Sequence, residues 1–137
     1  MNAVVLVSNA YKAASQARKN ADKPESKRDF FPVMSTLLLR THDGHLLVTP
    51  FCWGDKTERA KRTEAIPARV ESDFAACVPA RAFVDWLRAS QLTTHEKKIK
   101  ASEQIQLTLD GLTLIVTAGN TRARFNCLSA DEFPAVN

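Results

Sequence analysis

Few residues in this chain have types and spacings that could do chemistry, and most of those are cations. Arg81 and Arg88 stand seven positions apart, nearly two helical turns, with Asp85 between them on the same exposed face. Arg122 and Arg124 alternate along a strand-like stretch, so both point to one side. Lys97, Lys98 and Lys100 crowd one loop. Cations placed this way suit contact with phosphate, and they equally suit a solvated surface.

Other chemistries are more weakly supported. His42 and His45 flank Asp43-Gly44 and, with Cys52 or Asp55, hold the atom types of a metal site, but a turn with polar flanks explains them more simply. Cys52, Cys77 and Cys127 form no CxxC arrangement, which argues against zinc and against a disulfide framework. A cysteine paired with His95 lacks any nucleophile-elbow or oxyanion-hole pattern. Phe51 and Trp53, beside lysines, have the faces to stack a single-stranded base, although a loop more often anchors such rings in the core. There is no Walker sequence and no Gly-rich phosphate loop. The chain is therefore expected not to be an enzyme and to need neither a metal nor a cofactor.

Periodicity defines the elements that must carry the cations. Residues 2–7 read as a strand, and Ser8 or Asn9 offers an N-cap for the helix "NAYKAASQARKNA". On that helix Tyr11, Ala14 and Arg18 share one side, while Lys12, Gln16 and Lys19 share another. Residues 22–29 read as a loop. "FPVMSTLLLR", Asp43-Gly44 and "HLLVTP" make a hairpin, the Asp-Gly pair suiting the positive φ angles of a type I′ turn. "TERAKRTEAIPARVE" alternates and is expected to be one long, partly exposed strand, with the short strand "AACVP" after it. Pro79 then precedes the helix "ARAFVDWLRAS", whose buried stripe is Phe83, Trp86 and Leu87 with Val84 on the shoulder. "IQLTLDGLTLIVTAG" predicts a second hairpin turning at Asp110-Gly111, with Leu112, Leu114 and Val116 on the returning strand. The predicted order βαββββαβββ is an α+β architecture, two helices packed on one face of a mostly antiparallel sheet.

At 137 residues the chain fits a single domain able to bury about two thirds of its unfolded surface. No apolar run approaches the roughly 18 residues that would cross a bilayer, so no membrane partner is expected. The basic, Ala/Ser-rich start has a composition also found in transit peptides, but "AVVLV" running into an amphipathic helix reads as structure. A formal net charge of +4 is mildly basic, and the default reading is a cytoplasmic protein with reduced thiols.

Several segments, taken in order, resemble a known family. "IPARVESDFAACVPARAFVDWLR" resembles the first domain of bacterial sliding clamps, the beta subunit of DNA polymerase III, where one Val-Pro-Ala, an acidic spacer and a second Val-Pro-Ala open a helix. "FPVMSTLLLRTHDGHLLVT" is similar to that family's Leu-Pro-Ile-Leu strand and Asp-Gly hairpin, and "RARFNCLSADEFP" to its Ser-Arg-Phe strand and closing Phe-Pro segment. The likeness covers most of residues 30–136. The chain departs from the pattern in "TPFCWGDKTERAKR", in Ser129 where proline is usual, in a longer loop 94–102, and in its first helix.

The resemblance implies a single clamp domain over 1–137, with Phe133-Pro134 at the exit toward later domains that this chain lacks. It implies a ring around double-stranded DNA, contacted through phosphates without reading sequence. Arg28, Lys12, Arg18, Lys19, Arg81 and Arg88 are the residues suited to that contact. Arg122, Arg124 and Phe125 fall on the strand that joins a neighbouring subunit in the family, although Phe125 also reads as a core residue. The replicative DNA polymerase and the clamp loader are the implied partners of the full-length, homo-oligomeric clamp. Their peptide groove lies between later domains, so none is expected here. The competing reading is a small basic module that binds nucleic acid directly through Phe51, Trp53 and the lysine loop.

Overall fold

A computed structural model describes residues 2–22, 32–52, 56–92, 104–119 and 121–133. Among these the elements run β1 (Asn2–Leu6), α1 (Val7–Lys19), β2 (Thr36–His42), β3 (His45–Pro50), α2 (Lys56–Arg62), β4 (Glu64–Pro67) and β5 (Arg69–Val70). They continue with β6 (Ala75–Pro79), α3 (Ala80–Leu92), β7 (Gln104–Asp110), β8 (Thr113–Ala118), β9 (Thr121–Asn126) and β10 (Leu128–Ser129). Short 3₁₀ turns cover Pro32–Ser35 and Ala130–Glu132.

The α+β class is as expected, but the strands form two antiparallel five-stranded sheets instead of one. Their orders are β5-β1-β7-β8-β9 and β10-β6-β2-β3-β4. Each half of the chain lends its first strand to the other half's sheet: β1 pairs with β7, and β6 pairs with β2. The two halves are thus related by an approximate internal two-fold, with α1 and α3, each of 13 residues, in matching places. Of the α-helices and strands among the described residues, only α2 has no counterpart. A reading along the chain assigns strands to neighbours and cannot see this exchange.

The helices pack side by side against one continuous core. From α1 it takes Val7 and the small residues Ala10, Ala13, Ala14 and Ala17; from α3 it takes Phe83, Val84 and Leu87. Alanine on one helix lets the bulky residues of the other approach closely, and it is also the best helix former. Val84 is fully buried and Trp86 only partly, which exchanges the places predicted for them. A second cluster of Met34, Leu38, Phe51, Cys77 and Phe133 lies apart from this core, with Leu38 and Cys77 contributed by β2 and β6.

Three local expectations are corrected. Helix α1 begins at Val7 with Leu6 as an extended N-cap that makes no side-chain hydrogen bond, so neither Ser8 nor Asn9 caps it. Val5 and Val7 are both buried, and that anchoring holds the strand-to-helix junction without a cap. Residues 56–62 form α2 where the alternation predicted strand; only Glu64–Pro67 and Arg69–Val70 are extended. Thr57 to Arg62 is rich in helix formers, and Glu58 reaches Arg62 one turn on at 3.1 Å. Arg62 also donates to the Asn20 carbonyl at 3.0 Å and pairs with Asp22 at 2.7 Å, which ties α2 to the end of α1. In the second hairpin the turn is Gly111-Leu112, because Asp110 pairs with Thr113. Gly111 has φ +61° and Leu112 is exposed at the tip, as a type II′ loop requires. The first hairpin is as predicted, with Asp43 at φ 50° and Gly44 at 75°.

Candidate nucleic-acid interface

Helices α1 and α3 carry the predicted cations on the side away from the sheets. Arg18, Arg81 and Arg88 line one shallow, open concavity along the seam between the helices, together with Asp85 and Ala89. Three guanidinium groups face one carboxylate there, so the concavity is net positive. Arg81 is 84% exposed and its Nε lies 3.8 Å from Asp85 Oδ2, a loose pair of the i,i+4 kind. Arg88 Nε donates to the Tyr11 hydroxyl on α1 at 3.4 Å, bridging the helices. That contact, with help from Ser15 and the charges of Arg88 and Lys19, pulls the Tyr11 phenol below its ordinary value. The same contact raises Arg88 further into its charged range.

The structure divides the rest of the predicted set. Lys12 and Lys19 are exposed but lie on the other flank of α1, in a groove shared with Tyr11, Gln16, Glu64 and Ile66 of α1 and β4. Arg28 falls outside the described residues, as do Trp53, His95, the loop 94–102 and most of the predicted loop 22–29.

Strand β9 is an outer edge of its sheet, and Arg122 and Arg124 are exposed on it opposite Thr117 and Ile115 of β8. The Cys127 N–H donates to the Leu112 carbonyl at 2.7 Å. Antiparallel alternation then turns the backbones of Ala123 and Phe125 toward β8, and those of Arg122, Arg124 and Asn126 outward. Phe125 takes the core alternative that its sequence left open. It is 8% exposed, and its ring meets Phe83 edge-on at 5.7 Å and 89°. Its side chain is therefore committed to the domain's own core and not to an outer surface.

The other chemistries find little support. Phe51 is buried in the second cluster, so it offers no face to a base. His42 and His45 are exposed at a hairpin end, where His45 Nδ1 lies 2.9 Å from the Asp43 carbonyl. No cluster of three or more His, Cys, Asp or Glu suited to a metal occurs among the described residues. All three cysteines are buried, and burial pushes Cys77 up to about 11 and Cys127 above its usual value. No helix among the described residues is long and apolar enough to cross a membrane.

Sequence reasoning found Arg81, Asp85 and Arg88 from their spacing but missed the partner of Arg88. Tyr11 and Arg88 are 77 positions apart and have no local signal. The Arg62 clasp had one, the Glu58-to-Arg62 spacing, hidden by the strand reading.

Paired sheets joined by an internal two-fold, with two helices side by side, form a fold seen in solved DNA sliding clamps. The chain is similar to the DnaN sliding clamp (DNA polymerase III subunit beta) of Bartonella birtlesii, with TM-score 0.75 and 20% identity over 98% of this chain and 32% of that one. It is similar to the DNA polymerase III subunit beta of Pseudomonas aeruginosa, with TM-score 0.75 and 19% identity over 100% of this chain and 32% of that one. The DNA polymerase sliding clamp of Caulobacter crescentus matches with TM-score 0.75 and 17% identity, again over the whole chain and 33% of its own length. The chain thus spans about a third of the clamps it matches. No family model and no curated protein matches it.

Proposed function

We propose that this chain is one arc of a ring that encircles duplex DNA, the first domain of a sliding clamp that keeps a bacterial-type replicative DNA polymerase close to its template. The observation that carries this reading is the seam in which Arg18, Arg81 and Arg88 converge on the helical side of a clamp fold. A sliding contact needs cations that hold phosphates weakly and ignore bases. An open concavity with exposed guanidinium groups meets that need, whereas an enclosed pocket would not. The domain works by topology and not by catalysis, since a closed ring cannot leave DNA sideways. Clamp loader and polymerase act on the full-length, homo-oligomeric clamp in the cytoplasm.

The outer strand edges supply the joints. Edge strand β9 presents the backbone of Arg122, Arg124 and Asn126 for pairing, and the exposed arginines keep that edge from aggregating until a partner covers it. Phe125 supports the joint from within, by holding β9 on the core. On the second sheet β4 occupies the matching edge, kept short and carrying Pro67, which has no N–H to offer.

The test uses the full-length clamp. Arg81→Glu with Arg88→Glu should weaken its association with DNA equally on all sequences. Unchanged retention of the assembled clamp on DNA would contradict the reading.

A further inference from the structure

We propose that Tyr11 is a positioning residue, holding the Arg88 guanidinium across the α1–α3 seam so that its free edge faces duplex phosphate. The proposal rests on the ring-lining reading above and adds a residue that neither charge nor sequence spacing selects.

Two of the arginines of the seam are held differently. Arg81 has a carboxylate, Asp85, beside it, which orients the guanidinium but also offsets its charge. Arg88 has a neutral hydroxyl, which orients without offsetting. The atom used matters as well. Tyr11 takes the Nε–H of Arg88, so both terminal Nη groups are left to donate, and that pair of nitrogens suits two oxygens of one phosphate. Tyr11 is itself well held. Its ring is partly buried against the main core, so the hydroxyl stands at a fixed place while the long arginine side chain would otherwise sample many rotamers. Preorganising one donor in this way strengthens each phosphate contact without adding a base contact, and a sliding surface can use it at every step along the duplex.

Tyr11→Phe is the clean variant, because it keeps the packed ring and removes only the hydroxyl. Duplex binding by the intact chain would be measured at low salt for wild type, Tyr11→Phe, Arg88→Ala and the double variant. Tyr11→Phe should weaken binding roughly threefold, the low end of what one net hydrogen bond contributes, as suits an exposed pair. Arg88→Ala should weaken it and reduce the slope of log affinity against log salt by about 0.9. Adding Tyr11→Phe to Arg88→Ala should then change nothing further, whereas a merely structural role for Tyr11 would cost the same in both backgrounds.

A second readout needs no DNA. Tyr11 is the chain's single tyrosine, so its ionisation can be followed by absorbance alone. With Ser15 and Lys19 still beside it, Arg88→Ala should raise the midpoint of that titration. If Arg88→Ala weakens binding while Tyr11→Phe binds like wild type, or if the tyrosine midpoint ignores Arg88, the positioning role is overturned and the ring-lining reading survives. If wild type shows no salt-dependent duplex binding, both fall together.

Discussion

Phe83 on α3 and Phe125 on β9 meet edge-on, their ring centroids 5.7 Å apart, and this pair anchors an edge strand to a helix. The internal two-fold places Ala10 and Ile66 at the matching positions of the first half, since Ile66 faces Leu46 as Phe125 faces Leu114. The first half therefore has smaller side chains between helix and edge strand, and a groove beside Ile66 in their place. The second half is packed shut.

This arrangement separates two residues that stand side by side in sequence. Phe125→Ala should destabilise the isolated chain by about 3–5 kcal/mol, as loss of a buried ring does. Arg124→Glu should leave that stability within about 0.5 kcal/mol, because the side chain is exposed. On the proposed ring reading, Arg124→Glu should nevertheless weaken subunit association of the full-length clamp. Urea unfolding of the chain and light scattering of the full clamp check the two halves of this prediction.

Arg62 should matter to the corner where α1 ends. Its guanidinium reaches Asn20, Asp22 and Glu58, but it is 26% exposed and its acidic partners more so, which limits the gain. Arg62→Ala is expected to cost about 1 kcal/mol and to increase amide exchange in α2 more than in β2. Hydrogen exchange followed by mass spectrometry reads this directly, and equal protection in both variants would contradict it.

Alkaline pH should act through Cys77. Burial raises its folded-state pKa to about 11, above the ordinary thiol value of 9.0, so folding favours the protonated form. The stabilisation is complete below the unfolded value and is lost as pH rises through the folded one. Wild type should therefore lose more stability than Cys77→Ala across that interval. Parallel urea midpoints for the two proteins would contradict the assignment.

What the sequence made legible was local. Asp43-Gly44 announced its turn because a type I′ loop needs positive φ at both positions, a demand on those two residues alone. Arg81 and Arg88 announced a shared helix face through their spacing. Where long-range contacts decided the outcome, the reading failed. Polar alternation over 57–62 fits either strand or helix, and part of what holds the helix is Arg62 reaching residues 40 and 42 positions earlier. The single sheet became two because β1 and β6 change places between halves. Periodicity did separate Arg18 from Lys12 and Lys19 on the first helix, and the structure puts Arg18 in the seam and the two lysines on the other flank; what it could not supply was the second helix that Arg18 faces.

The most direct test of the cationic seam is the salt dependence of duplex binding at low ionic strength, for wild type and for Arg18→Ala with Arg81→Ala and Arg88→Ala. Removing three phosphate contacts should flatten the log–log slope by about 2.7, equally on AT-rich and GC-rich duplexes. A slope that stays unchanged, or changes on only one of the two sequences, would show that the seam does not face DNA phosphates.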